Sequence, residues 1–527
     1  MRWKRLCEND FFIWSVLIVS AVYLGFISLS IHEGIFYAGD QGIKSLVVKQ
    51  ITEGYGFKYL HLPQPDWVQS IWKAGFSPLR TPSFYNSPGG YIIVYPPAFQ
   101  IVSAWLYEKW GTAGLYVIPM LSTVILISWF VILLKRCGVR PVWVAIGLFV
   151  LVFCSPLPLY GVMFWEHLPA VMLLFAGVSF IARPPRRAVS ACILGVVSGL
   201  AVFLRPEALM MDLLYSVAVI GLHFRNRQIA PSIDVPPRSR SKAIWFLGGL
   251  LLPILAFFVF NHLEYGSILG IHSRQVFADN DPQTRMTLSH GLDNLWENNS
   301  ISTQHFLFVL LLIPLAIRAI KTKGASDPRP LFLAGIVILF SFLTPWVLPN
   351  NGIVQWGARY FLPIIPPTLV ALLIGERNWN LFERRRIPLW LSAFMVVFIC
   401  YDFYHNTHGG GYKEVRWRYN QRLTKTYRLI DSQPGNVVIV SHYWMINDFA
   451  YLFDKDYFFA ASSNDSLSRL LPLLKKNGVR KYIFVYDPQG PTLPTMLKDS
   501  TTSHWWVDRA HHVYVKDEYA AKVYPIL

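Results

Sequence analysis

Charge is what this chain has least of. Only 15% of its 527 residues are charged, where soluble domains carry about 25%, too few to cover a soluble surface of this size. Cysteine is sparse as well: Cys7, Cys137, Cys154, Cys192 and Cys400 are all there is. No pair has metal-ligand spacing and none follows Cys400, so no disulfide framework is implied. Glycine and proline, 34 and 35 residues, are too ordinary for a collagen-like or low-complexity chain. No internal repeat of ~20–50 residues is visible, which argues against a solenoid. What is abundant is apolar and aromatic: 53% hydrophobic residues, 36 Phe and 19 Trp. A net charge of +17 fits either a nucleic-acid footprint or positive charge gathered in short loops on one side of a membrane.

A transmembrane helix needs roughly 20 apolar residues. Phe11–Ile31 is the first such run and carries no charge; it is longer and more aromatic than the core of a signal peptide, so it reads as a retained anchor. Further spans are expected near Gly114–Leu134, Pro141–Leu159, Leu168–Ala182, Ala188–Leu204, Ala208–Phe224, Ala243–Phe260, Phe306–Ile317, Leu331–Leu348, Tyr360–Gly375 and Ile387–Phe403, about eleven in all. Tyr91–Trp110 is apolar too, but Pro96-Pro97 interrupts it and Glu108-Lys109 closes it. Counting it as a span would put Lys135 and Arg136 opposite Arg2, Lys4 and Arg5, so it reads as an interfacial or re-entrant helix.

The basic residues then sort to one side. The amino terminus, Lys135–Arg140, Arg183–Arg187, Arg225–Lys242, Arg318–Arg329 and Arg377–Arg386 hold 22 of the 48 Lys and Arg residues, against only Glu8, Asp10, Asp234, Asp327, Glu376 and Glu383. The positive-inside rule places these loops and the amino terminus in the cytoplasm, and an odd number of spans places the carboxyl terminus outside. The basicity reports topology. Nucleic-acid binding is disfavoured, because no long segment interleaves basic and aromatic residues.

The fold expected is therefore an α-helical polytopic membrane protein of about 11 transmembrane helices, N-in/C-out, with interfacial helices in the first outer loop. Residues 1–404 form the membrane domain, with outer loops at 32–113 and 261–305. Residues 405–527 form a small extracytoplasmic α/β domain. In this tail, NVVIVSHY (Asn436–Tyr443) and KYIFVYD (Lys481–Asp487) read as short buried strands. Between them Asp465–Lys476 has helical apolar spacing after a cap at Asn464.

Ionisable residues at the outer ends of spans are the informative ones, since burying charge near lipid is expensive. Asp40 follows the first span in FYAGDQGIKSL. Flanking Gly39 and Gly42 suggest a tight turn or a close ligand, and Gln41–Glu53 reads as a helix lying on the membrane. Asp40 is equally a helix cap or a catalytic acid on residue type. Glu166 and His167, in MFWEHLP, fall at the turn between the third and fourth spans. They suit a sugar hydroxyl, a phosphate or a metal, or simply a polar turn. Adjacent residues point apart on a helix, so no metal site is assigned. Arg205, in FLRPEAL, interrupts an apolar stretch, and Arg359, in QWGARYFLP, opens the tenth span. A guanidinium holds phosphate through a planar fork and keeps its charge on burial. A local Arg205–Glu207 ion pair is the plainer alternative.

These residues, in this order and sidedness, resemble the GT-C superfamily of polytopic glycosyltransferases that use polyprenyl-phosphate sugars, and most of all the protein mannosyltransferase and aminoarabinose transferase type. The likeness rests on Gly39-Asp40, on the Glu53-Gly54-Tyr55-Gly56 turn and on the Tyr95-Pro96-Pro97 helix. It extends to Glu166, Leu204-Arg205-Pro206-Glu207, Arg359-Tyr360 before Pro363, and the α/β tail. It implies an inverting sugar transfer from a polyprenyl-phosphate donor to a glycan, lipid or protein acceptor at the outer face of a bacterial inner membrane. Asp40 would be the general base. Glu166 is a second catalytic candidate that, with His167, would position sugar or acceptor. Arg205 and Arg359, with Lys44, would stabilise the leaving phosphate, and Tyr95, Glu207 and Tyr360 would complete the substrate site. The superfamily often has a paired acidic motif where this chain has Asp40 beside Gly39, so a divalent metal is left open and no cofactor is assigned. The alternatives are a transporter or flippase of a lipid-linked glycan, which would place its ionisable residues near the midplane of repeated helices, and a non-catalytic assembly subunit.

Overall fold

The computed structural model describes residues 2–31, 34–62, 64–80, 83–229, 238–271, 309–313, 315–317, 327–347, 359–379, 381, 389–409, 411–420, 423–432, 435–486 and 520–525. The chain divides into two compact units. One comprises residues 1–26 and 118–412, the other residues 27–117 and 413–527.

The first unit is helical. Among the described residues of the whole chain, five helices are long and apolar enough to cross a membrane: Asp10–Ser28, Thr112–Arg136, Ala208–Arg225, Ser241–Tyr265 and Arg359–Trp379. Pro141–Phe153, His167–Ala182, Ala188–Leu204 and Arg329–Thr344 are apolar but shorter, and a further helix covers Leu389–Tyr404. Among the described residues, then, only part of the expected eleven spans is present at full length. Proline accounts for part of the shortening. The Pro141 helix, expected to reach Leu159, stops at Phe153 ahead of Pro156, while the Ala188 run ends at Leu204 as expected, ahead of Arg205-Pro206, since proline disfavours helical backbone at the residue before it. The span expected at 306–317 is described only at 309–313 and 315–317, and the loop at 261–305 lies largely outside the described residues.

Helix ends that the sequence assigns to one side are joined to each other. Lys135 pairs with Asp10 at 2.9 Å, Arg140 with Glu376 at 3.0 Å and Arg329 with Asp327 at 2.6 Å. Arg329 also donates to the Ala182 carbonyl at 2.8 Å, and Asn378 to Asp327 at 2.7 Å. Burial works against the Asp327 carboxylate, but Arg329 and Asn378 outweigh it and hold its pKa below the usual range. Asp10, Asp327 and Glu376, three of the few acids of these basic loops, are therefore anchors for their arginines and lysines.

The second unit joins sequence segments some 300 residues apart. Its 27–117 segment contains a hairpin of β1 (Phe84–Ser87) and β2 (Gly90–Ile93). The stretch read as one interfacial helix, Tyr91–Trp110, is instead the end of β2 followed by a helix from Ala98 to Trp110, with Pro97 at its N-cap. Two consecutive prolines have no N–H to continue the ladder. The tail contributes a four-stranded sheet in the order β4-β3-β5-β6, made of β3 (Val437–Val440), β4 (Tyr457–Ala460), β5 (Lys481–Tyr486) and β6 (Ala520–Pro525); β6 alone is antiparallel to its neighbour. The helix before β5 is capped by Ser463 rather than Asn464: the Ser463 hydroxyl accepts the Ser466 N–H in a capping box.

Both faces of this sheet are covered, and the 27–117 segment takes part on each. Val438, Val440, Ile483 and Val485 pack with Ile43, Leu46, Val47 and Phe449. Val437, Ile439, Tyr482 and Phe484 pack with Val68, Ile71, Phe76, Leu467, Leu470 and Leu474. Full burial of each such side chain stabilises by about 1.5–3 kcal/mol. The Gly39–Thr52 helix, expected to lie on the membrane, therefore turns its apolar side into protein, and nine of its fourteen residues are buried.

Asp456 is the titratable group at the edge of this core. It is 1% exposed and accepts the Asn436 N–H at 2.9 Å. Burial pushes its carboxyl up to about 7, against about 3.9 in an unfolded chain. Because the folded form holds the proton more tightly, this group's contribution is complete below about pH 4 and is lost as pH rises through about 7. Hydrogen exchange of the 436–460 segment should therefore speed up between pH 4 and 7 beyond its intrinsic pH dependence. Asp456→Asn, which keeps an acceptor for Asn436, should flatten that excess.

Candidate active site

In the first unit, the polar turn before the His167–Ala182 helix and the break after Leu204 bring three charged groups together. Arg205 reaches Glu166 Oε1 through Nη1 at 3.2 Å and Glu207 Oε1 through Nη2 at 2.8 Å. The local Arg205–Glu207 pair therefore forms, but it is one arm of a three-residue cluster. Glu166 is 2% exposed, and carboxylate and guanidinium at such depth persist only when paired. Burial opposes the charge on Arg205, yet Glu207 and Glu166 outweigh it and raise its pKa above arginine's ordinary value.

Arg359 and Tyr360 complete the cluster from the start of the Arg359–Trp379 segment. Arg359 Nη2 donates to the Tyr360 hydroxyl at 3.1 Å. The Tyr360 ring lies 4.9 Å from the Arg359 guanidinium and 5.3 Å from that of Arg205, and Arg359 also lies 5.6 Å from the ring of Trp165. Aromatic faces next to cations are attractive when desolvated. His167, Arg205, Glu207, Arg359 and Tyr360 line one small cavity of about 30 Å³, whose other walls include Leu174 and Phe340. Five residues singled out from sequence thus share one space, and Glu166 stands directly behind it on Arg205.

The other three lie in the second unit. Asp40 is not a cap: Ala38 is the N-cap of the Gly39–Thr52 helix, and Asp40 is in its first turn, where the helix dipole favours an anion. Lys44, one turn on, is 3.9 Å from Asp40 and 4.5 Å from the centre of the Tyr95 ring. Its side chain is 1% exposed, while that of Asp40 is 17% exposed. A nearly buried ammonium thus stands against an accessible carboxylate. Neither glycine beside Asp40 has the left-handed backbone of a tight turn. What approaches them is protein, not a free ligand space: the Asn447 backbone and Cβ.

Sequence reading passed over several members. Trp165, fully buried and stacked on Tyr160 at 5.5 Å, and Phe340 look like ordinary core. Outside this cavity, Asp212 and Asp402 are fully buried acids in apolar helices, and Asp212 accepts the Ser198 hydroxyl at 2.6 Å. Among the described residues, no group of three His, Cys, Asp or Glu side chains is placed to hold a metal ion.

No protein-family model matches this chain, and no curated protein matches it. Among solved structures it is similar to ArnT from Cupriavidus metallidurans bound to undecaprenyl phosphate, at a TM-score of 0.55 and 11% identity over 91% of this chain and 93% of that one. It is also similar to ArnT of the same organism in the apo state, at a TM-score of 0.51 and 12% identity over 90% and 93%. The chain shares the fold of these ArnT structures. At this identity the likeness speaks for the fold. The five helices long and apolar enough to cross a membrane support an integral membrane protein.

The charge cluster predicts a stability result of its own. Arg205→Met leaves Glu166 and Glu207 without their guanidinium and should lower unfolding free energy by about 3–5 kcal/mol, the usual effect of breaking a buried pair. Arg205→Met with Glu166→Gln and Glu207→Gln should recover most of that loss in detergent-solubilised denaturation. Equal melting of wild type and the single variant would contradict the pairing.

Proposed function

We propose that this protein is a membrane glycosyltransferase that moves a hexosyl or pentosyl group from a polyprenyl-phosphate donor to an acceptor hydroxyl at the extracytoplasmic face, with inversion. The observation that carries the reading is the convergence of Arg205, Arg359 and Tyr360 on one cavity with apolar walls, in a GT-C fold whose solved neighbour is bound to undecaprenyl phosphate. Two guanidiniums beside Leu174 and Phe340 suit an anionic head group on a hydrocarbon chain. The eleven-span, N-in/C-out topology belongs to the same proposal, since it puts the outer ends of the helices, and these residues, outside.

In this mechanism the acceptor oxygen attacks the anomeric carbon as the bond to the phosphate oxygen breaks. Asp40, partly exposed in the first helical turn and 3.9 Å from Lys44, takes the acceptor proton. The leaving lipid phosphate carries the departing electron pair and needs no proton. Arg205 and Arg359 stabilise its growing negative charge. The cavity has room for roughly one water. The phosphate therefore enters by displacing a carboxylate, Glu166 or Glu207, from Arg205, or by a shift of the lining side chains. Glu166 and His167 then position sugar or acceptor. No step requires a metal, and a divalent ion at the donor phosphate is left open.

Purified protein given radiolabelled undecaprenyl-phosphate sugars, with hexose and pentose tested in turn, should release undecaprenyl phosphate; a flippase would leave that bond intact. Asp40→Asn should lower kcat by about 10²–10⁴-fold. A folded, inserted and fully active Asp40→Asn variant would sink the base assignment.

A further inference from the structure

The Gly39–Thr52 helix has two working sides. Asp40 and Lys44, four residues apart, share one face, and Gly39 and Gly42, three apart, share another. The glycine face is occupied by the tail of the chain. A Cβ added at Gly39 would stand 2.6 Å from the Asn447 Cβ, and one at Gly42 would run into the Asn447 carbonyl oxygen. Both glycines have helical backbone without positive φ, so conformational freedom does not explain them. Close approach does.

Asn447 belongs to the 3₁₀ segment Tyr443–Leu452, between β3 and β4. Its Nδ2 donates to the Ser83 hydroxyl at 3.0 Å, which ties it to the residue before β1. The neighbouring Met445, Ile446, Phe449 and Ala450 are fully buried in the core that holds Ile43, Leu46 and Val47. The far end of the Asp40 helix is held by the same segment and its continuation. Lys49 Nζ donates to the Tyr451 carbonyl at 3.2 Å and to Asp454 Oδ2 at 2.9 Å, and lies 4.2 Å from the Tyr451 ring centre. The acid-bearing helix is therefore gripped at both ends, and near Asp40 its glycines face the Asn447 Cβ and carbonyl, atoms fixed to the main chain with little room to give.

We infer that Asn447 is a positioning residue for Asp40: its main chain, seated on Gly39 and Gly42, fixes the depth and rotation of the first turn from which the Asp40 carboxylate projects. The inference rests on the reading of Asp40 as the base. It gives the α/β tail a task in the reaction, because the strand-connecting segment of the tail sets where the proton acceptor stands. Asn447 does this from the glycine face, away from the face that Asp40 and Lys44 share.

The test uses full-length purified protein and the radiolabelled undecaprenyl-phosphate sugar that it turns over, with kcat and donor KM measured separately. Displacement of a catalytic group by about 1 Å costs on the order of 10²-fold in rate. Gly39→Ala and Gly42→Ala should each lose about that factor in kcat with donor KM unchanged. Asn447→Gly removes the Cβ that opposes Gly39→Ala, but leaves the carbonyl that opposes Gly42→Ala. The double variant Gly39→Ala/Asn447→Gly should therefore recover to within about tenfold of wild type, while Gly42→Ala/Asn447→Gly should not. A purely structural contact would instead lower the melting temperature and the amount of folded protein, with kcat per folded molecule unchanged; that result overturns the inference. Fully active Gly39→Ala and Gly42→Ala beside an inactive Asp40→Asn would overturn it while leaving the base in place. A fully active Asp40→Asn would remove the base reading and this inference together.

Discussion

A guanidinium kept charged in apolar surroundings is the constraint on which the first unit's site depends. Arg205 cannot shed its proton, so its place at the end of an apolar helix has to be compensated by carboxylates. Glu207 and the 2%-exposed Glu166 do so at 2.8 and 3.2 Å. Pro206 ends the helix at this point, and pairing with Arg205 accounts for the burial of Glu166. Tyr360 stands with its ring near two cations. An anion entering the cavity competes with carboxylates already bound to the same fork, which is a setting for exchange rather than for permanent occupancy.

The second unit solves a different problem. A sheet with three parallel strands is apolar on both faces and needs two covers. The tail supplies one helix, Asn464–Lys476, and the 27–117 segment supplies much of the rest. The consequence for chemistry is that Asp40, on a helix of that segment, is carried by a rigid core rather than by a free loop. Groups that must be held within a fraction of an ångström are better placed on such elements.

Much of the site was legible because charge in an apolar setting is conspicuous. Asp40, Arg205 and Arg359 stand out against hydrophobic runs, and the structure gathers Arg205 and Arg359 at one cavity with His167, Glu207 and Tyr360. The strands of the tail were legible for the converse reason, as short uninterrupted apolar runs. What escaped was long-range or unspecific. No local period tells that Ile43 packs with Val438, or that Gly42 faces Asn447, because each segment reads as an ordinary helix or strand. Trp165 and Phe340 escaped because a buried aromatic beside a cation has the same sequence signature as one beside a leucine. The span expected to run to Leu159 ended at Phe153, ahead of Pro156, where composition alone would have continued it.

The central claim, that this protein takes a polyprenyl phosphate at Arg205 and Arg359, is tested most directly by a structure determined in lipid nanodiscs with undecaprenyl phosphate added. The account predicts phosphate density within hydrogen-bond distance of both guanidiniums, with Glu166 or Glu207 turned away from Arg205 and the isoprenoid running past Leu174 and Phe340. Phosphate bound elsewhere, with Arg205 still paired to both glutamates as it is here, would contradict it.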